Sequence, residues 1–143
     1  MGRYAMASGS PGVRPRGLHH AGVTVSDLER SIAFYEEMFG AGVALRVDLD
    51  ELSLVMLELP NAFVELLEYR LPGREQPPRA SDLGAGHFAL LIDDVVDAHA
   101  RLLARGVAFE GPPLRVPDGP SEGYVITFCL DPDGNRIELI QSP

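Results

Sequence analysis

His20-Ala21-Gly22-Val23-Thr24-Val25-Ser26-Asp27-Leu28 and His87-Phe88-Ala89-Leu90-Leu91-Ile92-Asp93-Asp94-Val95 are two copies of one pattern, His-x-x-apolar-x-apolar-polar-Asp-apolar. Each copy also ends alike: Phe63-Val64-Glu65-Leu66-Leu67 answers Arg136-Ile137-Glu138-Leu139-Ile140. A repeat on this scale means that one supersecondary unit has been used twice, and it decides the fold. It divides the chain into a first module over 18–70 and a second over 87–143, together one structural domain. The linker, 71–86, is dense in Pro and Gly. The first 17 residues carry Arg3, Arg14 and Arg16 but no apolar core of a signal peptide, and read as a flexible leader.

Each module opens on a strand and continues into a helix. Val23 and Val25 alternate with His20, Gly22 and Thr24. Ser26 and Glu29 have the spacing of a capping box for the helix that follows. Leu28, Ile32, Tyr35 and Phe39 recur at helical spacing, and Gly40 ends the run. In the second module Asp94 is the expected cap, Val95, Leu102 and Leu103 form the apolar stripe, and Gly106 is the stop. Three further strands are expected in each module, over 43–48, 52–58 and 62–68, then 108–111, 124–130 and 136–141. Asp131-Pro132-Asp133-Gly134 marks a tight turn before the last of them. The result is an α+β fold of two βαβββ modules, expected to form a curved mixed sheet.

Strand parity carries the chemistry. His20 lies opposite Val23 and Val25, and His87 opposite Phe88, Leu90 and Ile92. Glu65 lies between Val64 and Leu66, and Glu138 between Ile137 and Leu139. If the apolar faces pack on the helices, two imidazoles and two carboxylates are left on the other face. In one curved sheet they would meet in its concavity. Neutral imidazole and carboxylate together suit a divalent Zn, Ni, Co, Mn or Fe ion. Gly22 and Ala89, two residues after each His, would leave room above such an ion. A lone His at a strand start is more often structural than a ligand, and a lone Glu on a strand is usually solvated. Four of them in duplicated positions argue for one divalent metal ion on His20, Glu65, His87 and Glu138. His19, on the apolar face or at the sheet edge, and His99, on a helix, read as structural residues. Cys129 reads as a small core side chain.

Composition excludes several other functions. The net charge of −9 offers no basic footprint for nucleic acid or for an anionic membrane surface. No apolar run is long enough to span a bilayer. All 12 basic residues are Arg, so neither a Schiff-base lysine nor a P-loop lysine exists. The single cysteine forbids an internal disulfide and suits a reducing, cytoplasmic setting.

The stretch from His20 to Leu28, with Ala33-Phe34-Tyr35 and Phe39-Gly40, resembles the opening of vicinal-oxygen-chelate proteins, the glyoxalase, bleomycin-resistance and extradiol-dioxygenase group. Gly86-His87-Phe88-Ala89 resembles the start of that family's second module. Phe128-Cys129-Leu130-Asp131-Pro132-Asp133-Gly134-Asn135-Arg136-Ile137-Glu138-Leu139 resembles its closing strand pair. The resemblance covers roughly residues 17–142 and is closest to glyoxalase I-like proteins, whose four ligand positions are filled here by His20, Glu65, His87 and Glu138. It implies a metal-dependent lyase or isomerase that transfers a proton α to a carbonyl of a small substrate, with Glu65 or Glu138 as the base. It also implies a homodimer, in which ligands come from one subunit or from both. Alternatives from the same family are an antibiotic-binding resistance protein, a methylmalonyl-CoA epimerase-like enzyme and an extradiol dioxygenase-like enzyme. The loop over 112–124 reads either as a lid or as a plain solvated connection. The sequence shows no recognisable thiol-cofactor site, and Arg46 and Arg115 are candidates for one only by their nearness to the expected site elements.

Overall fold

A computed structural model of the chain describes Gly9 and residues 11–143. The leader expected over 1–17 therefore falls largely outside the described residues.

The first module runs β1 (His20–Thr24), α1 (Leu28–Phe39), β2 (Val43–Asp48), β3 (Leu52–Glu58) and β4 (Phe63–Tyr69). The second runs β5 (Phe88–Leu91), α2 (Val95–Ala104), β6 (Leu114–Arg115), β7 (Val125–Leu130) and β8 (Arg136–Gln141). Each module carries its own four-stranded mixed sheet, in the orders β1-β4-β3-β2 and β5-β8-β7-β6. The first strand of each runs parallel to the last, with Gly22 beside Glu65 and Ala89 beside Glu138. The remaining pairs are antiparallel.

The helices begin and end where local chemistry dictates. Asp27 caps α1 by accepting the Arg30 N–H at 3.0 Å, and Asp94 caps α2 by accepting the Asp97 N–H at 2.9 Å. The capping box expected from Ser26 and Glu29 does not form. Ser26 instead donates its N–H and its hydroxyl to Asp133 of the second module, and the carboxylate one residue later takes over the cap. Gly40 closes α1 at φ +67°, a conformation that costs a residue with a Cβ.

One expected strand is displaced. Over 108–111 there is a single bridge, Phe109 to Cys129, and the short strand lies further on at β6. Pro112 and Pro113 follow at once and bring no N–H to the ladder. The stretch still hugs β7, with Glu110 N–H on Phe128 O at 3.0 Å and Leu130 N–H on Ala108 O at 2.9 Å.

The helices cover the inner faces of the sheets. Val55, Leu57, Val64 and Leu66 from the first sheet, and Cys129, Ile137 and Leu139 from the second, are almost wholly buried in one continuous apolar cluster. At about 25 cal/mol per Å² of apolar surface this burial is the main favourable term. Tyr35 ties the modules together. Its ring lies 6.4 Å from that of Phe88, and its hydroxyl donates to Asp131 at 3.2 Å. The helices approach at their C-terminal ends, where Arg105 Nη1 donates to Glu37 O at 2.9 Å. The His- and Glu-bearing faces are therefore the outer ones, turned away from this shared core.

Candidate metal centre

On the outer face of the first sheet, His20 Nε2 stands 3.6 Å from Glu65 Oε1. On that of the second, His87 Nε2 stands 3.1 Å from Glu138 Oε2. The parallel registers make both pairs. Each His sits at or just before the start of a first strand, and its Glu two residues into the adjacent last strand. The imidazoles are about equally exposed, 37% and 38%, and the carboxylates are more sheltered, 18% and 16%. The two half-sites are thus matched in geometry as well as in sequence.

The four residues do not meet within one chain. Among the described residues, no three His, Cys, Asp or Glu side chains gather as one ligand set. The two pairs stand on separate four-stranded sheets, each on the face opposite the one its helix covers. Each half-site nevertheless has the donors for half of a divalent-ion site, one imidazole nitrogen and one carboxylate oxygen. Gly22 keeps the space beside Glu65 open. A Cβ there would lie 3.9 Å from Glu65 Oε1 and 3.7 Å from Leu67 Cδ1.

The surroundings of each pair are apolar. Register places Leu54, Met56 and Leu67 around Glu65, and Ile126, Phe128 and Ile140 around Glu138. β3 and β7, which carry neither the repeated His nor the repeated Glu, present apolar side chains on both faces. In the second half-site Phe128 meets His87 edge-on at 5.0 Å and carries the Arg136 guanidinium over its ring at 4.2 Å. Glu110 clamps Arg136 through two hydrogen bonds, of 2.7 and 2.9 Å. The hydrogen bond to Glu110 is the main reason that the Arg136 pKa is raised. His87, Glu110 and Arg136 line a cavity of about 960 Å³ with Ala21 to Thr24 of β1 and the linker residues Pro77 and Pro78.

A family model described as the glyoxalase/bleomycin resistance protein/dioxygenase superfamily matches residues 17–139. The chain belongs to this superfamily. A 2-epi-5-epi-valiolone epimerase of Actinomyces is 34% identical over 88% of the chain and 79% of its own length. A lactoylglutathione lyase of Arabidopsis thaliana is 35% identical over 85% of the chain, which spans only 43% of that enzyme's length. The glyoxalase I of Leishmania major, described as trypanothione-dependent, superposes with a TM-score of 0.68 at 29% identity, over 89% of this chain and 87% of that one.

Other residues singled out in the sequence of this glyoxalase-superfamily chain fall outside the half-sites. Arg46 pairs with Glu29 and, at 4.0 Å, with Asp48. Arg115 Nη1 reaches Gly123 O at 3.3 Å. None of residues 112–124 is among those lining the cavity beside His87 and Arg136. Cys129 is fully buried, as expected. His99 rests against Phe109, ring centroids 4.4 Å apart. His19, read as structural, packs on Phe63 and also lies against His20. That contact was hidden because neighbouring residues on a strand normally point to opposite faces.

Proposed function

We propose that the protein is a metal-dependent enzyme that moves a proton α to a carbonyl in a small substrate. The carrying observation is the duplicated His–Glu pair, set at equivalent positions on two apolar-walled faces. Superfamily members typically bind a divalent metal, and His20, Glu65, His87 and Glu138 are the residues that would hold it. Such an ion, when bound, would supply Lewis acidity to the carbonyl oxygen and make the neighbouring C–H more acidic.

The chain's own groups do the rest. In each pair one carboxylate oxygen faces the imidazole, and the other oxygen would take the proton. One Glu takes the α-proton, and the C–H electron pair moves to the carbonyl to give an enolate. The other, in its protonated form, delivers a proton to carbon. Delivery to the opposite face of the same carbon is epimerisation. Where the α-carbon carries a hydroxyl, that hydroxyl passes its proton to the former carbonyl oxygen and becomes the new carbonyl, and delivery to the adjacent carbon completes the isomerisation of a lyase of the glyoxalase I kind. The epimerase relative, matched over most of its length, supports the first. The lactoylglutathione lyase supports the second. The apolar walls limit water around the base, which helps proton transfer compete with solvation.

The active assembly in this reading is a homodimer. A second copy would bring its second half-site over the first half-site of its partner, and would cover the exposed Leu45, Leu91 and Leu114 of the open faces.

The direct test combines elemental analysis with isotope exchange. Protein purified without chelator or metal-affinity step should hold a stoichiometric divalent ion, and the His87→Ala variant should lose it. The metal-loaded parent, offered polyhydroxylated ketones and thiol hemiacetals in D2O, should exchange the α-proton, and chelation should stop it. Failure to take up any divalent ion, with ligand binding indifferent to chelator, would replace this reading with that of a small-molecule binding protein.

A further inference from the structure

His19 precedes β1, and its ring is held from several directions. Its Nδ1 lies 2.9 Å from His20 Nδ1, with the two rings T-shaped and their centroids 5.2 Å apart. The same ring rests tilted against Phe63 at 5.3 Å. Its carbonyl accepts the Phe63 N–H at 3.0 Å, which fixes the backbone at the strand entrance. On the far side of His20, Nε2 faces Glu65.

A nitrogen–nitrogen distance of 2.9 Å is that of a hydrogen bond, with one proton between the rings. A neutral imidazole has one N–H and one lone pair. If the His20 Nε2 lone pair is the donor, then Nδ1 carries the hydrogen and His19 Nδ1 must accept it. His19 then bears its own proton on Nε2. We infer that His19 is a positioning residue, which holds His20 as the Nδ1–H tautomer and aims its Nε2 lone pair at the ligand position beside Glu65. Ligating histidines are commonly fixed through their second nitrogen in this manner. The inference rests on the proposed function for what Nε2 binds, but the tautomer can be read without any metal. The second half-site is braced differently: Gly86 stands where His19 does, and His87 is held by the edge contact with Phe128.

The test is long-range ¹H–¹⁵N correlation spectroscopy of the imidazoles in metal-free protein. His19→Phe keeps a ring against Phe63 and removes the acceptor, and His19→Asn supplies an amide oxygen as a substitute. The parent should show His20 protonated on Nδ1. His19→Phe should shift it towards Nε2–H, the form favoured by free imidazole side chains, and His19→Asn should recover part of the parent state. Cobalt(II) affinity, measured by competition with a chromophoric chelator, should fall about 10- to 100-fold in His19→Phe. It should recover part of the way in His19→Asn. Should His19→Phe fail to fold, His19→Ala at this exposed position carries the same comparison. A His20 tautomer that is Nε2–H in the parent, or unchanged by the substitution, overturns the inference, as does an unchanged cobalt affinity. A tautomer shift in protein that binds no metal leaves the brace standing and removes the proposed function instead.

Discussion

Among single residues, the two carboxylates carry the sharpest expectation. Glu65 and Glu138 differ from Gln by one proton-accepting oxygen, so Glu65→Gln and Glu138→Gln should both fold. Each should lose about 10²–10⁴-fold in kcat for α-proton exchange, the range of a removed acid–base group. Full activity in either variant removes that residue as a base. These positions were legible because the sequence repeats them, and the repeat turns two weak signals into a strong one. Their partners were not legible. Phe128 meets His87 edge-on and carries Arg136, which Glu110 clamps, an arrangement that no spacing encodes. Cys129 illustrates a residue read correctly for a simple reason. Burial pushes its thiol up to about 12, so it stays protonated at pH 8 and sits out of reach. Thiol reagents should leave the native protein unmodified and react only in denaturant. The stability linked to this raised pKa is fully present below the thiol's unfolded value and lost as pH rises through about 12.

At the scale of elements, strand bounds followed from alternation, and β2, β3 and β8 fall on the expected residues. The misplaced strand over 108–111 shows the limit. Its side chains fit a strand, but two prolines interrupt the ladder that would make it one. The turn between β7 and β8 is the element on which the module junction depends. Asp131 is 5% exposed and accepts the N–H groups of Asp133 and Asn135, the Asn135 amide and the Tyr35 hydroxyl. Asn135 also donates to Thr24 O across the junction, at 3.0 Å. Replacing Asp131 with Asn puts an NH₂ among donors and should cost about 1–3 kcal/mol by denaturant titration. The deficit should depend on pH. Burial raises the Asp131 pKa above 3.8, opposed by the hydrogen bonds from Asn135, Asp133 and Tyr35. A carboxyl raised in the fold contributes stability below its unfolded pKa and loses it as pH rises through the folded one. The Asn variant lacks that loss, so its deficit should be larger near about pH 4 than near about pH 7. A deficit that grows with pH would show that the buried carboxyl is lowered instead.

For the whole molecule, the sequence foretold two like modules but not how they face. The apolar stripe of α1 says which side of the helix is buried. It does not say that Tyr35 on that stripe reaches Phe88 and Asp131 of the other module. That contact joins the two modules through the helix-covered side, and the His–Glu pairs lie on the opposite faces of two separate sheets. Two outward half-sites on one chain make a specific demand on the assembly. A twofold dimer that joins the first half-site of one subunit to the second of its partner contains two composite sites, each drawing on both chains. His20→Ala kills the first half-site and His87→Ala the second, so each variant alone forms only defective sites. In a mixed heterodimer, one composite site collects both substitutions and the other collects neither. Random subunit exchange should therefore restore about one quarter of the parent's metal-binding sites and exchange activity, since half of the dimers are mixed and half of their sites are intact. The recovery should appear only after unfolding and refolding the two variants together, or after prolonged mixing, and should vanish if each variant is refolded separately. If the site instead closed within one subunit, every site in the mixture would carry a substitution and nothing would be restored, however long the subunits exchanged.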